Sequence, residues 1–103
     1  MRNTRVTLRY AKSLLALAVE QNLLEDCKAD MQELISVCKD SRELSLLLKS
    51  PVIKADKKLA ILTEIFTGFS TLSKSFISII TTKKREALLE EIALHFITVY
   101  KQH

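Results

Sequence analysis

Two histidines are the side chains in this sequence best suited to acid–base chemistry near neutral pH. His95 lies between Leu94 and Phe96, and His103 is the last residue. A serine or cysteine nucleophile needs such a base beside it and a third group that orients the base. His95 falls near the polar edge of a predicted apolar helix, so we interpret it as a boundary residue and not as a catalytic base.

Neighbouring carboxylates are the other candidates for catalysis, because a pair can act as acid and base. Glu90–Glu91, and Asp26 with Asp30, have the required residue types. No glycine-lined segment accompanies them, and at helical spacing they are typical of surface ion-pair partners. The patterns HExxH, DxDxDG and GxxxxGK[ST] are all absent from the sequence. We therefore predict no catalytic residue, and a binding function.

The two cysteines, Cys27 and Cys38, are eleven residues apart. On one straight helix this spacing separates them by about 16 Å along the axis, whereas a disulfide needs Cα atoms within about 7 Å. No CxxC pattern and no nearby histidine suggests a metal site. We expect reduced, partly buried thiols, and neither a metal ion nor a cofactor.

The elements that must position these residues are predicted by composition. The 103 residues include one glycine, Gly68, and one proline, Pro51, while 48% are hydrophobic and 27% charged. β-rich domains need both residue types at their many turns, and phosphate-cradling loops need glycine. We expect an all-α fold, a six-helix bundle forming one domain over residues 1–103. The longest apolar run, Leu14 to Val19, is far shorter than the roughly 20 residues of a membrane span, so we expect a soluble chain.

Apolar residues recur at helical spacing in six segments. The predicted helices run from about Thr4 to Gln21, from Leu24 to about Lys39, through Leu44–Leu48 up to Ser50, through Leu59–Phe66, from Ser70 or Thr71 through Ile80, and from about Arg85 through Tyr100.

Local signals predict how some of these helices begin and end. Asp40 is expected to cap the third helix, with Glu43 completing a capping box, and Gly68 is expected to be the C-cap of the fourth. The apolar segment 51–53 is expected to tuck against the bundle. The turn at 81–84 lies between two strong helical patterns, and the sequence does not define it.

The first predicted helix has more apolar surface than one buried face requires. Leu14 to Val19 cover every direction around the helix, whereas a helix that buries one face shows a stripe somewhat over 100° wide. A helix at the centre of the bundle would explain this. Alternatively, one face packs on the bundle and leaves Tyr10, Ser13, Leu14 and Leu17 for a partner's amphipathic helix, anchored at i, i+3, i+4 and i+7.

The fifth predicted helix shows a weaker version of the same pattern. Phe76, Ile77 and Ile80 suit the core, while Ile79 points away from it together with Ser75. Small side chains let another backbone come close. Two such helices side by side would line an apolar trough.

Four segments, in this order, carry a family resemblance: residues 9–15 (RYAKSLL) with Ala18, residues 47–53 (LLKSPVI) with Lys57 or Lys58, residues 76–80 (FISII), and finally Arg85, Leu88–Leu89, Ile92 and Phe96. They resemble the F-type ATP synthase delta subunit family, called the oligomycin-sensitivity-conferring protein in mitochondria. No single motif is specific by itself, but the order and spacing extend over nearly the whole chain.

The resemblance implies a function for the chain. It implies the six-helix N-terminal domain of a stator component, without an active site, in the proton-translocating F-type ATP synthase. This component joins the catalytic head to the peripheral stalk, so that the head does not rotate with the central shaft. A groove between the first and fifth helices would take the N-terminal helix of an alpha subunit of the head. Position by position, that groove would use Tyr10, Ser13, Leu17, Ser75 and Ile79.

The resemblance also implies a location and further partners. The complex would lie at the bacterial inner membrane, with this component on the cytoplasmic face and not inserted in the bilayer. Stalk subunits would be contacted by the family's C-terminal domain, which we expect these residues to lack.

Two other functions stay open. A helical adaptor of another complex fits the same composition. A small DNA-binding regulator would fit the excess of 16 Lys and Arg over 12 Asp and Glu, but its recognition helix would present Arg, Asn or Gln to a DNA groove. The last predicted helix instead begins with Glu86, Glu90 and Glu91, which phosphates would repel, so we expect no nucleic-acid partner.

Overall fold

The structure is a computed structural model that describes residues 4–103. It contains six α-helices and one short 3-10 turn: α1 (Thr4–Glu20), α2 (Leu24–Asp40), α3 (Arg42–Lys49), α4 (Ala55–Ile65), α5 (Thr71–Thr82), the 3-10 turn (Glu86–Leu88) and α6 (Leu89–Gln102). Residues 4–103 include no strand. The expected all-α, six-helix fold is confirmed.

The core lies around α6, which packs against both α1 and α2. The buried faces of these helices include small side chains: Ala11 and Ala18 on α1 and Ala93 on α6 are completely buried. Small residues let two helix backbones approach closely, and Phe96, also completely buried, fills the remaining space. The second half of the bundle is formed by α4 packed against α5.

Two helices end in left-handed residues that are not glycine. Asn22 follows α1 with φ 59°, and Lys84 follows α5 with φ 62°. At each end the amide of the left-handed residue and the amide that follows it close the helix. Asn22 N–H donates to Val19 O at 3.3 Å and Leu23 N–H to Ala18 O at 2.8 Å. Lys84 N–H donates to Thr81 O and Arg85 N–H to Ile80 O, both at 2.9 Å. This is the Schellman arrangement, in which a left-handed residue lets two amides satisfy the last helical carbonyls.

Gly68 does not have the predicted role. Helix α4 ends at Ile65, its C-cap is Phe66, and Gly68 does not have a positive φ. The glycine lies in the turn that brings Phe69 back onto Phe66, with ring centroids 4.6 Å apart. Stacking of these buried rings therefore accompanies the reversal of the chain.

The cap of α3 is one residue later than predicted. Asp40 is the last residue of α2, and Ser41 is the N-cap, whose Oγ accepts from Leu44 N–H at 3.1 Å. Since the third helical position is now Leu44, Glu43 is one position too early for a capping box. Helix α5 begins where predicted, at Ser70 or Thr71: Ser70 is its N-cap, and its Oγ accepts from Ser73 N–H at 3.2 Å.

The segment after α3 is not tucked against the bundle as predicted. Val52 is 85% exposed. The reason is a buried ammonium group: Lys58 Nζ donates to Leu48 O at 3.1 Å and to Ser50 O at 2.7 Å. The polar backbone at the end of α3 therefore faces inward, and the apolar side chain of Val52 lies in solvent.

Lys58 also forms an ion pair with a distant residue. Its Nζ lies 2.7 Å from Glu86 Oε2, and the two side chains are 2% and 10% exposed. With both backbone carbonyls, the carboxylate gives the ammonium three acceptors for its three N–H bonds. The pair joins the start of α4 to the 3-10 turn before α6. No helix among the described residues is long and apolar enough to cross a membrane.

Candidate functional site: the exposed apolar rows of helices α1 and α5

Three of the residues considered for catalysis, His95, Glu91 and Asp30, contact other polar groups of the fold. His95 Nε2 lies 3.6 Å from Glu91 Oε2, and the same oxygen accepts from the Thr7 hydroxyl at 3.1 Å. Asp30 is buried, and its carboxylate accepts from Ser70 N–H at 2.9 Å. These groups connect α6 to α1 and α2 to the beginning of α5, which is consistent with structural positions.

The cysteines lie on one helix, α2, and both are free and buried. Cys27 Sγ accepts from the Ser73 hydroxyl at 3.5 Å. Burial, reinforced by the charge of Glu90, raises the pKa of the Cys38 thiol to about 11. A thiol with so high a pKa is protonated at neutral pH and is a poor nucleophile or metal ligand. No cluster of His, Cys, Asp and Glu suited to a metal ion occurs in residues 4–103.

Helices α1 and α5 meet through two aromatic rings. Tyr10 and Phe76 contact edge to face, with centroids 6.3 Å apart and an interplanar angle of 78°. Phe76 is buried and Tyr10 is half-buried. The contact thus lies at the border between the core and the surface.

Exposed side chains follow Tyr10 along α1 and lie next to Phe76 in the sequence of α5. On α1, Ser13 and Leu17 follow Tyr10 by three and seven residues, and on α5 Ser75 and Ile79 are one turn apart, which places each set along one helix face. Leu17 is 40% exposed and Ile79 is 52% exposed. We call this surface the α1–α5 groove, and we define it by Tyr10, Ser13, Leu17, Ser75 and Ile79, with Phe76 at its base.

Leu14 does not belong to this surface, contrary to the sequence prediction. Its side chain is 0% exposed, whereas the side chain of Leu15 is only partly buried. Leu14 shares a helix face with Ala11 and Ala18, the residues that α6 covers. Packing of α6 on α1 therefore decides which of two adjacent leucines is in the core.

Arg85 is a basic residue that contacts Tyr10, and the sequence did not predict it as a site residue. Arg85, in the turn after α5, donates from Nη1 to the Tyr10 hydroxyl at 2.5 Å. Its Cζ atom lies 5.8 Å from the centroid of the Tyr10 ring. The contact depends on the turn at residues 81–85, whose conformation the sequence pattern left undefined.

Other exposed apolar side chains lie apart from one another in the fold. Leu46 is on α3, Ile65 ends α4 and Leu94 is on α6, with exposures between 41% and 58%. Two surface hollows of about 670 and 560 Å³ flank the segment around Val52 and Ile53. Neither hollow includes a residue of the groove. We favour this surface as the candidate site because it has exposed apolar side chains on two helices that the Tyr10–Phe76 contact joins, and an amphipathic helix binds through such side chains.

The fold defines a class: residues 4–103 form an all-α bundle of six helices. The chain belongs to the ATP synthase delta (OSCP) subunit family, because the model of that family matches residues 6–103.

Similar proteins come from distant organisms. The chain is 41% identical over 103 residues to the ATP synthase subunit delta of Cytophaga hutchinsonii, covering 99% of this chain and 57% of that protein. It is 34% identical to the chloroplastic ATP synthase delta chain of Chlamydomonas reinhardtii, covering 98% and 47%. The chain thus spans about half the length of these relatives.

A solved structure shows the same fold. A chain in the cryo-EM structure of the Toxoplasma gondii mitochondrial ATP synthase hexamer superposes with a TM-score of 0.81 at 28% identity, covering 87% of this chain and 51% of that chain. The six-helix arrangement is therefore also found within an assembled ATP synthase.

Proposed function

We propose that this chain is a non-catalytic stator component of the proton-translocating F-type ATP synthase, and that its α1–α5 groove binds the N-terminal helix of an alpha subunit of the catalytic head. Family membership supports the complex, and the paired apolar rows of α1 and α5 support the mode of binding. The observation that carries the proposal is the exposure of Leu17 on α1 and of Ile79 on α5, the two helices that the Tyr10–Phe76 contact joins.

An amphipathic helix would suit this surface for two physical reasons. Ser13 and Ser75 are small, so a second backbone can approach α1 and α5 closely. Burying the exposed parts of Leu17 and Ile79 would contribute roughly 1 kcal/mol each, since complete burial of such side chains contributes about 1.5–3 kcal/mol. Additional free energy would come from the apolar side chains of the incoming helix.

The mechanical role follows from such a contact. A stator component resists torque by remaining bound and rigid, and it needs no active site. In this proposal residues 1–103 form the N-terminal domain, and stalk subunits contact the C-terminal domain known from the family. The chain acts at the cytoplasmic face of the bacterial inner membrane without inserting in it, uses no cofactor and binds no nucleic acid. A helical adaptor of another complex is the alternative, and its groove would not bind the alpha-subunit helix.

Charges placed in the groove test the proposal. Ser13→Asp and Ile79→Asp should each weaken binding of a synthetic alpha-subunit N-terminal peptide at least tenfold, about 1.4 kcal/mol, because binding would desolvate an unpaired carboxylate. Their melting temperatures should stay within a few degrees of the parent, since both positions are exposed. Titration calorimetry and thermal melts measure the two effects separately.

Two further variants are the controls. Leu46→Asp places the same charge at a position that is 58% exposed on α3 and should bind normally. Leu14→Asp places it in the core and should unfold the bundle. If Ser13→Asp and Ile79→Asp remain folded and bind the peptide like the parent, the groove is not the binding site. If the parent itself does not bind the peptide, the adaptor alternative is favoured.

A further inference from the structure

We propose that Arg85 forms an ion pair with an acidic side chain of the helix that occupies the α1–α5 groove, and that this pair determines the direction in which the helix lies. The inference rests on the proposed function, since it assumes a helix in the groove. It adds the charge of the partner helix and the direction in which that helix lies.

The charge of the two helices favours an acidic partner. Helix α1 carries Arg5, Arg9 and Lys12 and a single acid, Glu20, at its last position, while α5 carries Lys74 and no acid. The turn after α5 adds three consecutive basic residues, 83–85. Complementary charge accelerates association and sets register, so the helix that fits here should carry carboxylates beside its apolar face.

Arg85 is the basic residue that contacts the groove itself. Its guanidinium donates one hydrogen bond to the Tyr10 hydroxyl, at 2.5 Å, out of five N–H donors. Within residues 4–103 no carboxylate pairs with it. The guanidinium therefore has further N–H donors for a partner, while its hydrogen bond to the phenol limits its rotamers, and a guanidinium held in this way loses less entropy when it binds a carboxylate.

The backbone supports the position of this side chain. Lys84 is left-handed, and the Arg85 amide is bonded to Ile80 O. The side chain begins from a closed helix end, so its direction does not depend on a loose loop. Replacement of Arg85 leaves these backbone bonds intact.

The two ends of the groove differ in charge, which gives it a direction. Arg85 lies at the Tyr10 end, and Leu17 is seven residues further along α1, about 10 Å away. Glu20 follows Ser13 by seven residues, so it lies on the same side of α1 as the groove and is exposed. An apolar helix alone would bind in either direction, whereas one with an acidic end should place that end beside Arg85 and away from Glu20.

A double-mutant cycle tests the ion pair. The probe is the synthetic alpha-subunit N-terminal peptide, in which each Glu or Asp is replaced singly by Gln or Asn. Arg85→Gln should lower the affinity for the parent peptide about fivefold at low salt, as expected for a close charge pair. At one acidic position of the peptide, the amide replacement should lower the affinity for the parent chain but should not lower the affinity for the Arg85→Gln variant any further. Lys83→Gln, which removes a charge from the same turn, should change affinity less than twofold.

The direction of the helix needs a second measurement. Two peptides are prepared, each with a spin label at one end. The label at the end that carries the acid paired with Arg85 should broaden the amide signal of Tyr10, and the label at the other end should broaden that of Leu17. If the effects of Arg85→Gln and of the peptide replacement on affinity are additive at every acidic position, the ion pair is overturned, because a general attraction between a basic chain and an acidic peptide predicts additive effects. Equal broadening by both labels in the parent would overturn the fixed direction. Absence of binding by the parent would refute the proposed function itself.

Discussion

Replacement of Lys58 by methionine should destabilise the domain severely. The Lys58 ammonium is bonded to Glu86 and to two backbone carbonyls, and its side chain is only 2% exposed. In Lys58→Met the Glu86 carboxylate remains buried without its counter-charge. Removing one partner of a buried ion pair costs about 3–5 kcal/mol, out of a total stability of about 5–15 kcal/mol for a domain.

Urea unfolding monitored by circular dichroism gives the free energy of unfolding directly, and a thermal melt should show a decrease of at least about 12 °C, since each kcal/mol corresponds to about 4–8 °C in a domain of about this size. The neighbouring exposed residue provides the control, and Lys57→Met should stay within about 0.5 kcal/mol of the parent. The double variant Lys58→Met with Glu86→Leu should be more stable than Lys58→Met alone, because it buries no unpaired charge. The reasoning is refuted if Lys58→Met unfolds at the parent's urea concentration, or if the double variant is less stable than Lys58→Met.

Three further predictions concern single positions. Ser41→Ala should lose about 1 kcal/mol of stability in urea unfolding, because it removes the cap of α3, whereas Asp40→Ala should be nearly neutral; the opposite order would contradict the observed cap. Lys84→Gly should stabilise the domain by up to about 1 kcal/mol in the same assay, since glycine adopts the left-handed conformation without the cost that a side chain adds; a clear loss of stability would show that the turn has another conformation. The raised pKa of Cys38 means that the unfolded chain ionises this thiol first as the pH rises, so its contribution to stability is complete below pH 9.0 and is lost as the pH approaches about 11. The parent should therefore lose more stability between pH 8 and pH 10.5 than Cys38→Ser does, and equal losses would be evidence against a buried, protonated thiol.

The helices were predictable from the sequence because apolar periodicity is a local property. The predicted first helix, Thr4 to Gln21, differs from α1 by one residue at its end. Several helix ends were not predictable, because neighbouring residues compete for the same role. Asp40 and Ser41 are both good caps, and α2 continues through Asp40. The left-handed turn at Lys84 could not be recognised, because sequence rules associate this conformation with glycine.

Features that depend on residues distant in sequence were missed. Lys58 and Glu86 are 28 residues apart, and in a sequence both resemble ordinary surface charges. Leu14 was placed on the wrong face because α1 is apolar all round, and only the position of α6 distinguishes Leu14 from Leu15. For the groove, the helix pattern indicated the exposed row of Leu17 and Ile79, but the Tyr10–Phe76 contact and the Arg85 bond required the fold.

The most direct test of the account is an NMR titration of the isotope-labelled chain with the alpha-subunit N-terminal peptide. We expect saturable shift changes of amide signals concentrated between Tyr10 and Leu17 on α1 and between Ser75 and Ile79 on α5. Amides around Val52 and Leu46 should stay unchanged. Saturable changes centred on the hollows beside Val52, with the α1 and α5 rows unaffected, would contradict the assignment of the groove as the binding site.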